Sequence, residues 1–159
     1  YFLSGQDEII GQKWLDQAAK IALSATCARS KCGCVIKHEM NVSGYDTIPH
    51  QTILNRKEDV AAKDEYHKKV TDKTCCIHAE QRSILDALRN HPDKITGSRL
   101  YFIRLDEEDR QSFAGKPYCT ICSKMALDVG IAEFVLSHRE GICVYDTEEY
   151  NDLSYQYHE

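Results

Sequence analysis

Two short segments of the chain carry residues able to do chemistry together, His78-Ala79-Glu80 and, further on, Cys119-Thr120-Ile121-Cys122. One imidazole and a C-x-x-C pair of thiols are donors that zinc takes. Three protein ligands mark a hydrolytic site, which keeps a fourth position for water, whereas a closed structural site takes four. Glu80 stands two residues beyond His78, too near on one helical turn to join the same ion comfortably and near enough to reach a water beside it. Zinc draws the pKa of water toward about 7, and the two thiolates soften that effect by donating charge to the metal. Glu80 can then carry the proton from water to a ring nitrogen, so that the adjacent carbon becomes electrophilic. Attack there leaves a tetrahedral carbon bearing OH and NH2, and a second proton from Glu80 lets ammonia go. Taken singly, His78 reads as a buried structural imidazole and Glu80 as a solvated carboxylate at a helix start. Taken together they read as a catalytic zinc site for hydrolytic deamination.

The elements that must hold these residues follow from hydrophobic periodicity. Ile10, Trp14, Ala18, Ile21 and Ala22 recur at helical spacing between Asp7 and Leu23, which predicts an amphipathic helix covering a sheet. Cys32 to Ile36 reads as a buried strand, His38 to Asn41 as a turn and Val42 to Tyr45 as an antiparallel return strand. Ala79 to Leu88 is helical, with Ile84, Leu85 and Leu88 apolar, and His91-Pro92 stops it. Leu100 to Ile103 is a strand, Asp106 to Lys116 a polar loop, Ser123 to Val129 a helix capped by Gly130, and Glu133 to Leu136 a strand. The order α-β-β-α-β-α-β predicts an α/β protein, a three-layer α/β/α sandwich whose central mixed sheet of about five strands is flanked by helices. His78 and Cys119 each fall just before a helix, where the free N–H groups and the helix dipole favour thiolate and hydroxide.

Composition sets the bounds. With 159 residues, 42% of them hydrophobic, the chain suits one domain over 1–159. Within it, residues 55–73 read as a charged insertion and 142–159 as a Tyr-rich C-terminal tail, which reads as a plain helix or an extended segment on the core, the alternative being that Tyr145, Tyr150, Tyr155 and Tyr157 pack over a base or form a subunit contact. A net charge of −5 and a pI near 5.8 disfavour nucleic acid as a partner. No apolar run reaches the roughly twenty residues of a membrane span and no charged-then-apolar leader opens the sequence, which predicts a soluble, cytoplasmic protein with no membrane partner. Eight cysteines are too few and too scattered for a disulfide scaffold of this length. Beyond the two in the C-x-x-C, Cys32 and Cys34 read as buried thiols in an apolar strand, and Cys27, Cys75, Cys76 and Cys143 as reduced thiols too, with a second metal site at Cys75 or Cys76 as the alternative.

The H-x-E and C-x-x-C segments resemble the zinc-dependent cytidine deaminase-like superfamily, whose signature is H-x-E…P-C-x-x-C. Lys116-Pro117-Tyr118-Cys119 departs from it, the proline standing one residue further from the first cysteine. Beyond the zinc motif, Cys27-Ala28-Arg29 running into Cys32-Gly33-Cys34, then Gly44-Tyr45-Asp46 with Pro49 nearby, then Val129 to Leu136, are similar to the deoxycytidylate (dCMP) deaminase branch, over roughly Gln17 to Leu136. The resemblance implies a Zn2+ cofactor held by His78, Cys119 and Cys122, proton transfer by Glu80, and a pyrimidine carbonyl bound by the backbone N–H of Ala79. It places Asp46 at a position where the family has Asn against the sugar; Asp can accept from a hydroxyl and cannot donate. Arg29 is the candidate for phosphate or a base edge, since a guanidinium makes bidentate contacts; a purely structural arginine reads as well there. A homo-oligomer acting on a small-molecule nucleotide or nucleoside, dCMP foremost, is the implied assembly and substrate. The alternatives are another aminated base and a zinc-stabilised homologue that binds nucleotide without turnover.

Overall fold

The computed structural model describes residues 1–25, 31–37, 41–45 and 77–157. Their elements in chain order are α1 (Gly5–Ala22), β1 (Lys31–Lys37), β2 (Asn41–Tyr45), α2 (Ala79–Asn90), β3 (Arg99–Leu105), β4 (Gln111–Ser112), α3 (Thr120–Val129), β5 (Glu133–His138), β6 (Gly141–Asp146) and α4 (Thr147–Tyr155). The sheet runs β2-β1-β3-β5-β6, with the two-residue β4 also paired to β3. It is mixed: β3 and β5 are parallel and the other pairs antiparallel.

Side chains alternate across a strand, so a central strand feeds two cores. Cys32, Cys34 and Ile36 of β1, Leu100 of β3, and Phe134 and Leu136 of β5 pack with α2, α3 and α4. Val35, Tyr101, Ile103, Leu105, Val135, Ile142 and Val144 pack on the other face with Leu15, Ala18, Ala19 and Ala22 of α1. Among the described residues, one helix on one face and three on the other make the expected three-layer α/β/α sandwich. A strand buried on both faces reads as an unbroken apolar run, and this is why Cys32 to Ile36 shows no polar alternation.

The helices differ from the sequence expectation in which face turns inward. In α1 the buried residues are Gly11, Leu15, Ala18, Ala19 and Ala22, so the inner face is turned by about one position, Ile10 is exposed and Trp14 lies at the margin. The physical reason is clearance. A Cβ on Gly33 would sit 2.0 Å from the Ala18 carbonyl and 2.9 Å from the Ala22 Cβ, and one on Gly11 would meet Leu3 at 2.8 Å; small residues let α1 lie close to the sheet. Trp14 is instead capped by lysines, with Lys37 Nζ 4.1 Å from the ring centroid. In α2 the inner face is Ala79, Glu80, Ser83, Ile84 and Ala87, while Leu85 and Leu88 are 46% and 41% exposed.

The region from 141 to 155 is a strand followed by a helix: β6 pairs with β5 along its length, and the Asp146 carboxylate accepts the Glu148 N–H at 2.9 Å to start α4. The polar loop 106–116 also contains β4. Gly130 ends α3 in the left-handed region, φ 84°, as expected. The turn residues 38–40, the 55–73 insertion, Cys27, Cys75 and Cys76 lie outside the described residues. Among the described residues no helix is long and apolar enough to cross a membrane.

Candidate metal centre

Two helix starts converge on one side of the sheet. His78 precedes α2, and its backbone N–H donates to the Gln81 side-chain oxygen at 2.9 Å, the reciprocal half of a capping box. The Gln81 amide nitrogen lies 3.7 Å from Met125 Sδ on α3, so one side chain touches both halves of the site. Ser83 Oγ donates to the Ala79 carbonyl at 3.0 Å and lies 3.4 Å from the Cys34 carbonyl of β1, fixing the height of α2 on the sheet. Cys119 precedes α3, and its sulfur accepts the Cys122 N–H at 3.4 Å, a thiolate-type N-cap.

The donor atoms form a tight triangle. His78 Nδ1 is 3.3 Å from Cys119 Sγ and 3.2 Å from Cys122 Sγ, and the two sulfurs are 3.0 Å apart. Among the described residues this is the only such group of three metal-ligating side chains. The hydrogen bond from Cys122 holds Cys119 down to about 4, His78 adding to the effect and burial opposing it. The same hydrogen bond, burial and the Glu80 carboxylate push Cys122 well up. Without metal the pair therefore holds one thiolate and one thiol. One imidazole nitrogen and two sulfurs, one of the sulfurs already ionised and all three gathered at one point, fit zinc.

A consequence can be measured. Zinc must displace the proton on Cys122, so binding releases at least one proton at neutral pH and affinity rises with pH. Calorimetric titration of zinc in buffers of different ionisation enthalpy should give an apparent enthalpy that scales with the buffer with that slope. A slope near zero would show that both sulfurs are already ionised.

Glu80 is only 5% exposed, and its charge is felt at both Cys122 and Tyr150. The structure thus brings His78, Ala79, Glu80, Cys119 and Cys122 together. Arg29 and Asp46 lie outside the described residues. Sequence reasoning missed the part played by α4. Tyr150 stacks on Phe134 with centroids 4.2 Å apart, and Asn151 accepts a hydrogen bond from Ser123 at 2.8 Å, one residue from Cys122. Burial, then the charges of Glu80 and the two cysteines, push the Tyr150 phenol well up, which keeps it protonated.

A mixed sheet with an N,S,S donor set at two helix starts defines a zinc-binding α/β/α domain. Residues 10–138 match the family described as "Cytidine and deoxycytidylate deaminase zinc-binding region", and the chain belongs to that family. The fold is similar to that of the dCMP deaminase from the cyanophage S-TIM5, at 17% identity with a TM-score of 0.56 over 82% of each chain in the apo form. It is also similar to cytidine deaminase from Burkholderia pseudomallei, at 12% identity with a TM-score of 0.58 over 87% of this chain and 94% of that one. Cytidine deaminase from Mycobacterium tuberculosis is similar at 14% identity with a TM-score of 0.51, over 89% of this chain and 91% of that one. No curated protein matches the chain by sequence. Family and site support zinc-binding deaminase chemistry on a cytidine- or deoxycytidine-type substrate.

Proposed function

We propose that the protein deaminates dCMP to dUMP with release of ammonia. The observation that carries the catalytic part is Glu80, a carboxylate buried beside a cluster of one imidazole and two thiols. Zinc, when bound, supplies Lewis acidity that makes hydroxide available near neutral pH. His78, Cys119 and Cys122 hold it. Glu80 takes the proton from water and passes it to the ring nitrogen of cytosine. Protonation there draws electrons from the adjacent carbon, which is attacked and becomes tetrahedral. Glu80 then takes the proton of the added hydroxyl and delivers it to the amino nitrogen, and the C–N bond breaks as the carbonyl forms, giving ammonia and the uracil ring. Ala79, the first residue of α2, presents its backbone N–H to the pyrimidine carbonyl at the positive end of the helix dipole. Arg29 takes the phosphate and Asp46 accepts from a sugar hydroxyl.

Support for the nucleotide over the nucleoside is the likeness of Cys27 to Cys34 and Gly44 to Pro49 to the dCMP branch. The cyanophage enzyme, which has been solved in complex with dCMP and dUMP, shares the fold. The test is ammonia release, with the absorbance change of deamination, from dCMP, deoxycytidine, CMP, cytidine, cytosine, adenosine and guanine in parallel. The expected result is kcat/KM for dCMP at least about a hundredfold above deoxycytidine, since two charge-assisted hydrogen bonds to phosphate are each worth about 1.5–3 kcal/mol. Equal rates on dCMP and deoxycytidine would overturn the phosphate role of Arg29. Turnover of a purine alone would overturn the pyrimidine reading.

A further inference from the structure

Residue 118 occupies the place where the family signature has proline, immediately before the first cysteine. A proline there has no N–H and fixes its own φ, so the cysteine loop is stiffened with no donor to satisfy. In this chain the proline is Pro117, which is buried, and Tyr118 brings an N–H back into the loop. That backbone group hydrogen-bonds the hydroxyl of Tyr150 on α4. Three further contacts join the same two segments. Ser123 Oγ donates to Asn151 Oδ1 at 2.8 Å, the Tyr118 and Tyr157 rings meet edge to face at 4.8 Å, and Lys124 Nζ lies 5.4 Å from the Tyr155 ring centroid. Tyr150 is itself pinned, stacked on Phe134 at 4.2 Å and edge-on to Tyr145 at 6.1 Å.

We propose that α4 clamps the cysteine loop in place of the missing proline, with Tyr150 and Asn151 as positioning residues that hold Cys119 and Cys122 in register with His78. The need for such a clamp is geometric. His78 is tied to α2 and through Ser83 to β1, whereas Cys119 and Cys122 ride on α3; the two halves share one ion only if α3 neither slides nor turns. Outer partners of this kind change metal affinity by about 10- to 100-fold when removed. The inference rests on the zinc site of the proposed reading and is independent of which pyrimidine is the substrate.

The experiment uses the full chain, loaded with zinc, as wild type, Tyr150→Phe, Asn151→Ala and Asn151→Asp. Three quantities are read: the rate at which zinc passes to the chromogenic chelator 4-(2-pyridylazo)resorcinol, the visible spectrum of the Co(II)-substituted protein, and the thermal midpoint of the zinc-free protein. Tyr150→Phe and Asn151→Ala should each release zinc about tenfold faster and alter the intensity of the cobalt d–d bands. Their zinc-free midpoints should stay within about 4 °C of wild type, the effect of one hydrogen bond. Asn151→Asp keeps the acceptor for Ser123 and should release zinc at nearly the wild-type rate. Unchanged release in both Tyr150→Phe and Asn151→Ala would overturn the clamp. So would an Asn151→Asp protein as leaky as the alanine variant, or a release rate that rises only in step with lost zinc-free stability. Should Asn151→Ala not fold, Tyr150→Phe, which removes a single oxygen, decides. Deamination by the wild type is measured alongside: zinc bound with no pyrimidine turned over overturns the substrate reading and leaves the clamp standing on its own readouts.

Discussion

Glu80→Gln should lower kcat by about 10³-fold, within the range contributed by a positioned general acid–base group, while zinc stays at about one ion per chain. The glutamine amide has nearly the shape of the carboxylate and fills the same buried place, but it cannot take a proton from water or return one to the amino nitrogen. Zinc retention follows from electrostatics. The Glu80 charge raises Cys122, so removing it makes the second thiolate easier to form, which offsets the lost attraction between the carboxylate and the cation, and the three ligands are untouched. Loss of turnover with retained metal separates a catalyst from a zinc-stabilised binding homologue, because metal content is the same for both. Steady-state rates on dCMP, with zinc measured on the same samples, decide it; a variant within tenfold of wild type would remove Glu80 from the chemistry.

Replacing Cys122 by Ser should abolish zinc binding, to below about a tenth of an ion per chain, and with it all turnover. Serine does not ionise at neutral pH, and Cys122 is fully buried on the first turn of α3, so no water can take over its coordination without disturbing Ala126 and the core beneath. A ligand present at about a thousand times its Kd contributes about 4 kcal/mol, so the thermal midpoint should fall on the order of 10 °C for a chain of this size. Wild type stripped by a chelator should unfold at nearly the same temperature as Cys122→Ser. A variant far less stable than the stripped wild type would mean that Cys122 matters as core packing more than as a ligand.

Of the candidate site, the ligand set was legible because its chemistry is local. A C-x-x-C pair before a helix puts both sulfurs at the same end of one helix, and His78 with Glu80 do likewise on another, whatever the rest of the chain does. The elements with strong periodicity were legible for the same reason, and β1, β3, β5, α2 and α3 fall where the apolar pattern put them. The region 142–159 carries local signals of a strand and a helix start beneath its tyrosine content. Ile142-Cys143-Val144-Tyr145 is an apolar run, and Asp146 with Glu149 three residues on is a helix-start pattern.

The sequence by itself determined the donor set, the three-layer class and the strands on either side of the site, because ligand chemistry and side-chain alternation depend on near neighbours. Only the tertiary structure decided which faces of α1 and α2 turn inward. That choice depends on how closely a helix can approach the sheet, and Gly33 beneath Ala18 and Ala22 sets the distance. Only the tertiary structure brought His78 within 3.3 Å of both sulfurs, and only it set Tyr150 and Asn151 behind the cysteine loop. Those contacts join segments far apart in the chain, and their distances are fixed by the packing of α2, α3 and α4 on one face of a shared sheet.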